Sequence, residues 1–185
     1  MPNGTSLRGQ MALPRIAGRR HGCLMTASGS LATRLGSTWF GGGLSSHARE
    51  RLAALAELRE VDPGAVLLRE GADTERFGVL LGGLLALRVA VAGRGTATLM
   101  TVEPGDIFGW SAAVPPYRAT STVVALVASE VLLFEAGALR DLLREDEALV
   151  LTLYPRLLES VSRRLTATRT QLLDLYARDR EYEPW

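Results

Sequence analysis

The residues with the clearest chemical potential lie in one segment, 103–120, which holds small residues and a single arginine. The small residues of its first half are Gly109, Ser111, Ala112 and Ala113. Small side chains let backbone N–H groups approach a ligand closely, as the first turn of a helix does for an anion. Arg118 follows just before the next apolar run and would add a fixed positive charge with a planar fork suited to phosphate. The segment therefore predicts an anion-binding site.

The sequence offers few residues for catalysis. Glu103 and Asp106 are the acids near the predicted site, and a Pro-Gly-Asp turn explains them without a reaction. Neither has a nucleophile–base pair beside it, since both histidines, His21 and His47, lie in or near the N-terminal tail. The single cysteine, Cys23, excludes an intrachain disulfide and a cysteine-rich metal site. We therefore expect no enzyme activity, no metal and no cofactor.

Short apolar runs separated by glycine or proline occupy the middle of the chain, after a turn at residues 61–64. They cover residues 65–69, 77–81, 84–91, 96–102, 107–108, 120–126 and 131–135. Their even spacing without intervening helices predicts a β-sandwich or barrel rather than a parallel α/β sheet. Residues 93–95 are expected at the tip of a hairpin. A helix over residues 47–58, capped by Ser45 or Ser46, should precede the strands.

Two helical patterns follow the last strand. Residues 138–144 predict a short helix and residues 147–178 a long one, with a kink or restart at Pro155, because proline removes a backbone donor. Along the long helix, one set of residues repeats with alternating spacings of three and four: Leu151, Tyr154, Leu158, Val161, Leu165, Thr168, Leu172 and Leu175. This pattern is typical of a coiled-coil seam, so we expect a homodimer, although packing of the helix on its own barrel could produce part of it.

The chain divides into three predicted regions. Residues 1–36 are rich in glycine, serine and arginine and are predicted to form a disordered extension, because they cannot bury enough apolar surface to become ordered. Residues 37–145 form the predicted barrel with its N-terminal helix, and residues 146–180 form the long C-terminal helix. The chain contains no apolar run long enough to span a membrane, and we expect a cytoplasmic location.

Charge is distributed unevenly along the chain. The first 49 residues hold six arginines and no acid, whereas the rest holds fifteen arginines and twenty acids. A mildly acidic folded part is a poor electrostatic match for DNA, so we expect no direct DNA binding. All 21 basic residues are arginine, which indicates the codon usage of a GC-rich bacterial genome.

The segment 105–120 resembles the phosphate-binding cassette of cyclic-nucleotide-binding domains. The pattern is Gly-Asp-x-Phe-Gly, then eight residues, then Arg-Ala-Thr. The wider glycine spacing also fits the turns of that family's eight-stranded jelly roll: Gly64, Gly71, Gly83, Gly105 and Gly109. The resemblance covers residues 39–178. It implies a mainly β fold with flanking helices, a double-stranded β-helix (jelly-roll) barrel followed by a long C-terminal dimerisation helix.

The resemblance also implies roles for individual residues. Arg118 would pair with the cyclic phosphate, helped by the N–H groups of Ala112 and Ala119, while Gly109 would let the ribose approach the backbone. Thr168 of the long helix matches a position that can reach the purine across the dimer seam. The expected ligand contacts are Gly109, Trp110, Ser111, Ala112, Arg118, Ala119, Thr120 and Thr168.

One residue departs from the family pattern. Members that bind cyclic AMP usually have glutamate directly after the cassette glycine, where it accepts a hydrogen bond from the ribose 2′-hydroxyl. This chain has Trp110, whose indole donates a hydrogen bond but cannot accept one. A buried hydroxyl left without its acceptor costs roughly 1–3 kcal/mol, a tenfold to hundredfold loss of affinity. Trp110 could instead stack on a ligand or fill the space of the ribose.

The resulting expectation is a ligand-sensing regulatory domain, not an enzyme. It would bind a small anionic ligand, with cAMP and cGMP as the candidates, and signal through its C-terminal dimer helix. The alternative is a transcription regulator of the same superfamily that has lost its DNA-binding domain or acts with a separate one. The ten residues after Leu175 are too few for the helix-turn-helix that such a regulator needs.

Overall fold

The computed structural model describes the backbone of residues 27–93 and 95–180, and the side chains of residues 30–93 and 95–174. Within this part, the first elements are helices: α1 (Ala27–Gly36), α2 (Trp39–Gly42) and α3 (Ser46–Leu55). Strands follow: β1 (Glu57–Val61), β2 (Val66–Leu68), β3 (Arg76–Gly82), β4 (Leu85–Val91), β5 (Gly95–Val102), β6 (Ile107–Phe108), β7 (Thr122–Ala125) and β8 (Ser129–Glu135). The last elements are α4 (Ala136–Glu145) and α5 (Glu147–Arg180).

The strands form two antiparallel sheets of four strands each. One sheet has the order β1-β8-β3-β6 and the other has the order β2-β7-β4-β5. Side chains from both sheets meet in one apolar cluster, which includes Leu80 and Val131 of the first sheet and Leu85 and Val123 of the second. The chain passes repeatedly from one sheet to the other, and the predicted jelly-roll barrel with flanking helices is confirmed.

The first sheet is covered on both faces. In β8, Leu132 and Phe134 pack against the helices, whereas Val131 and Leu133 pack inside the barrel. Successive side chains of a strand point to opposite faces, so a strand covered on both sides needs an unbroken apolar run. Residues 131–134 supply that run.

The helices form a layer on the outer face of this sheet. The ring of Phe77 lies 5.6 Å from that of Phe40 and 5.5 Å from that of Phe134, measured between centroids, which joins α2 to the sheet. Leu139 of α4 and Leu153 of α5 are fully buried in the same cluster. The start of α5 is therefore part of the hydrophobic core.

Two predicted boundaries in the N-terminal region are wrong. Residues 1–36 were expected to be disordered, but the last ten form α1, because Leu31 and Leu35 lie one turn apart and pack into the core. Residues 1–26 lie outside the described part of the chain. The helix predicted over residues 47–58 ends at Leu55, and Leu58 belongs to β1, which pairs with β8. Ser45 caps that helix by accepting a hydrogen bond from the Ala48 N–H at 3.1 Å.

The predicted restart at Pro155 is also wrong, since α5 is assigned as one helix through this residue. The Leu151 carbonyl would normally accept a hydrogen bond from the N–H of residue 155, which a proline lacks. Leu151 and Pro155 both lie on the exposed face of the helix. Water can therefore satisfy that carbonyl, and the helix continues. No helix within the described residues is both long and apolar enough to cross a membrane.

Candidate functional site

The segment predicted to bind an anion begins at a backbone position that requires glycine. Gly109 directly follows β6 and has φ +68°, in the left-handed region. A Cβ atom at this position would lie 2.4 Å from the carbonyl oxygen of Arg76, a distance that no side chain tolerates. Gly109 thus turns the chain sharply into a single 3₁₀ turn, Trp110–Ala112.

This turn is held in place by polar contacts from three directions. The Ser111 hydroxyl lies 2.8 Å from that of Thr74, and both side chains are buried. The Arg140 guanidinium on α4 donates to the Ala112 carbonyl at 3.1 Å, and the Tyr154 hydroxyl on α5 donates to the Ala113 carbonyl at 3.2 Å. The turn is therefore coupled directly to both C-terminal helices.

Arg118 lies in an exposed position at the end of the segment. Its Nε and Nη2 atoms donate to the Gly71 carbonyl at 2.9 and 2.5 Å. The two N–H groups expected to assist it are also engaged: that of Ala112 donates to the Gly109 carbonyl and that of Ala119 to the Ala72 carbonyl, both at 2.9 Å. In this structure these donors are directed at the protein's own carbonyl groups.

A cavity of about 260 Å³ lies between the second sheet, the turn after Gly109 and helix α5. Its lining residues are Leu68, Leu87, Leu99, Met100, Gly109, Trp110, Ser111, Ala119, Thr120, Ser121, Val123, Val161, Arg164, Leu165 and Thr168. Six of the eight predicted contact residues are in this set. Ala112 and Arg118 are not, although both are close neighbours of lining residues in the sequence.

Arg164 supplies the charged side chain of this lining. The sequence predicts that Arg163 and Arg164 lie on the solvated face of the helix, but in the structure Arg164 is half-buried and its Nη2 donates to the Ile107 carbonyl. Burial lowers the pKa of Arg164 below its ordinary value, and the neighbouring Asp106 carboxylate opposes that shift. An arginine guanidinium keeps its charge at neutral pH. A positive charge therefore stands at the α5 side of the cavity.

A signal for Arg164 was present in the sequence. It follows Val161 by three residues and precedes Thr168 by four, so the three side chains share one face of a helix. The predicted dimer seam includes Val161 and Thr168 but not Arg164, so the position of Arg164 on the same face was overlooked.

Helix α5 is fastened to the barrel just outside the cavity. The Trp39 ring lies between two guanidinium groups of α5, with Arg156 at 3.9 Å and Arg163 at 3.7 Å from its centroid. Arg163 also forms an ion pair with Asp106, at the turn that leads into β6. Such cation–π contacts contribute roughly 0.5–2 kcal/mol each. They hold the middle of α5 against α2, and the ion pair with Asp106 holds it against the barrel.

Comparison with known proteins agrees with this architecture. Residues 58–146 match the family model of the cyclic nucleotide-binding domain. A proposed cyclic nucleotide-binding protein from Geobacter metallireducens is 26% identical, with a TM-score of 0.65, covering 72% of this chain and 97% of that one. A cAMP-binding acyltransferase from Mycobacterium smegmatis is 26% identical, with a TM-score of 0.61, covering 77% of this chain and 43% of that one.

A third solved structure is similar in fold alone. A cyclic nucleotide-binding domain from Methylobacillus flagellatus is 18% identical, with a TM-score of 0.68, covering 80% of this chain and 84% of that one. No curated protein sequence matches the chain. The family match includes the turn at Gly109 and the cassette through Arg118. By sequence and by fold, residues 58–146 of this chain belong to the cyclic nucleotide-binding domain family.

Proposed function

We propose that this protein is a ligand-sensing regulatory domain that binds a small anion in the cavity beneath α5 and transmits the binding through that helix. The observation that carries the proposal is the composition of the cavity wall, since Val161, Arg164, Leu165 and Thr168 all belong to α5. A ligand in contact with these side chains would favour one position of the helix over another, and this difference in affinity is what shifts a conformational equilibrium.

The candidate ligands are cAMP and cGMP, supported by the family match and by a relative described as binding cAMP. In this proposal Arg118 exchanges the Gly71 carbonyl for the cyclic phosphate. Two physical reasons support the exchange: Arg118 is exposed, and a phosphate makes stronger, charge-assisted hydrogen bonds than a carbonyl does.

The proposed role is regulatory rather than catalytic. The residues that line the cavity include no histidine, cysteine or carboxylate, so its hydroxyl groups have no base beside them. A hydroxyl without an adjacent base is a weak nucleophile. Binding, rather than turnover, is the chemistry that this lining supports.

We further propose that the domain acts as a homodimer through α5. Four leucines spaced seven residues apart, Leu151, Leu158, Leu165 and Leu172, are each at least half exposed. A stripe of leucines at this spacing forms the contact between paired helices in coiled coils. A second α5 from another copy of the chain would cover them.

The test is a calorimetric titration with cAMP and cGMP, combined with hydrogen exchange of α5. Saturable binding that slows exchange in the second half of α5 is the expected result. Arg118→Ala should weaken nucleotide binding by roughly 10–100-fold, because a charged hydrogen bond is lost. Arg144→Ala is the matched control, since Arg144 is exposed and pairs with Asp141 of its own helix.

Two results would contradict different parts of this proposal. An absence of heat with both nucleotides at high concentration would remove cyclic nucleotides as ligands. Saturable binding of a ligand that leaves the exchange of α5 unchanged would overturn the sensor role itself, because the helix would then not respond to the cavity.

A further inference from the structure

The chemistry of the cavity wall identifies a class of ligand more closely than the family match does. The wall is mainly apolar, with side chains such as Leu87, Met100 and Trp110, and its polar groups are hydroxyls and the guanidinium of Arg164. A site of this kind favours a ligand with an apolar body and a small number of oriented polar contacts. A ribose 2′-hydroxyl would find no carboxylate acceptor among the lining residues.

The positive charge in this cavity comes from α5 and not from the cassette. Arg118 is absent from the lining and directs two donors at the Gly71 carbonyl, whereas Arg164 is part of the lining. One of the five N–H donors of Arg164 is used on the Ile107 carbonyl, and the described residues offer it no other hydrogen bond. Its remaining donors can therefore take a carboxylate.

The charges around Arg164 favour a ligand anion on the side of the guanidinium that faces the cavity. Asp106 lies close enough to influence Arg164, but its carboxylate is paired with Arg163. The hydroxyls of Thr168, one turn further along α5, and of Thr120 and Ser121 opposite also line the cavity. A carboxylate at this position would meet one guanidinium and neutral donors, since Asp106 is not among the lining residues.

We propose that the ligand is an organic acid with an apolar body, and that Arg164 on α5 binds its carboxylate. This inference rests on the proposed function, because it uses the same cavity and names the ligand class that the sensor would detect. It also links binding to signalling through one residue, since the guanidinium that would hold the carboxylate also fastens α5 to the Ile107 carbonyl.

The test uses two probe acids, 2-naphthoate and decanoate, each paired with its neutral methyl ester, in calorimetric titrations of the full chain. At least one acid should bind, and its ester should bind more weakly by roughly 10–100-fold, because the charge-assisted contact is lost. This preference for acid over ester is measured on the unsubstituted protein, so it does not depend on a variant that folds.

Substitutions then identify the residue that causes the preference for acid over ester. Arg164→Gln should abolish the preference for acid over ester, and Arg164→Lys should keep part of it, because lysine retains the charge but lacks the planar fork. Arg169→Gln is the matched control on the same helix, since Arg169 is exposed and is not among the lining residues. A purely structural role of Arg164 would weaken acid and ester equally.

The outcomes separate this inference from the proposal on which it rests. Binding of cAMP that depends on Arg118, with no binding of either acid, overturns the inference while the sensor remains. Failure of both acids to bind, or acid binding that is unchanged in Arg164→Gln, also overturns it. Acid binding that leaves the hydrogen exchange of α5 unchanged would instead contradict the sensor role, while the assignment of Arg164 remains.

Discussion

The two halves of α5 lie in different environments. In the first half, Leu149, Leu153 and Leu157 follow each other at spacings of four and are buried in the core between the helices and the first sheet. From Val161 onward, no described side chain of α5 is fully buried, and the helix rests on the barrel through the cavity wall and a few arginine contacts. The first half is therefore required for the fold, whereas the second half is held by contacts that a ligand can alter.

The largest expected effect tests the difference in burial directly. Leu153→Ala should lower the free energy of unfolding by about 2–5 kcal/mol, because it removes a fully buried side chain and leaves a cavity. Leu173→Ala, on the exposed second half, should change it by less than about 0.5 kcal/mol. Chemical denaturation of both variants measures the difference. Equal losses of stability would show that the two halves are not distinct.

The second prediction concerns the exposed leucines. If α5 pairs with a second copy, Leu158→Glu combined with Leu172→Glu should weaken the dimer by roughly 3 kcal/mol or more, about a hundredfold. Thr166→Glu with Thr170→Glu adds the same charge away from the stripe and is the control. Light scattering across a range of concentrations measures the effect. An unsubstituted protein that is monomeric at tens of micromolar would contradict the dimer.

The third prediction concerns the wall opposite the second half of α5. Gly109→Ala and Gly64→Ala both place a side chain at a positive φ, which costs roughly 1–2 kcal/mol. At Gly64 a Cβ meets nothing within 4 Å, whereas at Gly109 it overlaps the Arg76 carbonyl. The Gly109 variant should therefore lose a further ~1–3 kcal/mol. Thermal unfolding compares the two, and equal losses would show that the turn can shift.

The smallest expected effect concerns α4, which packs beside the first half of α5. The Gly137 and Ala138 N–H groups donate to the Glu135 carboxylate at 2.9 and 2.6 Å. Hydrogen bonds from the Ala138 and Gly137 backbone lower the pKa of Glu135 from its ordinary 4.5. Its ionised form therefore stabilises the fold above the unfolded pKa, and that stability is lost as the pH falls through the folded pKa.

Glu135→Gln should accordingly reduce stability by about 1 kcal/mol at neutral pH, because an uncharged amide is a weaker cap. The difference from the unsubstituted protein should shrink as the pH falls below 4.5, where the carboxylate becomes protonated. Denaturation curves at a series of pH values measure this. A difference that persists unchanged in strong acid would show that the charge is not responsible.

Most strands were predictable because their signals are local. Each of the seven predicted apolar runs overlaps one of the strands β2 to β8, and glycines with positive φ mark several of the turns between them. β1 was missed because its sequence, Glu57–Val61, contains three charged residues and no continuous apolar run. It becomes a strand by pairing with β8, from Glu57 opposite Leu133 to Val61 opposite Ser129.

The candidate site was predictable in part for the same reason. Gly109, Trp110 and Ser111 lie at the cavity because a local turn places them there, and Thr168 does so because of helical spacing. α1 was not predictable, since its short apolar stripe becomes ordered only where α3 and the core cover Leu35. Arg164 was missed because its burial depends on where α5 crosses the barrel.

The sequence by itself determined the barrel, the turns and the long helix. The spacing of apolar residues and the backbone preferences of glycine and proline are properties of short stretches of the chain. Tertiary structure alone decided which arginine faces the cavity. Arg118 and Arg164 are 46 positions apart in the sequence. Their exposure differs because α5 folds back over the second sheet, covering Arg164, while Arg118 stays at the barrel's surface on the Gly71 carbonyl. Helical spacing places Arg164 on the same face as Val161 and Thr168, but the burial of that face depends on contacts between residues far apart in the sequence.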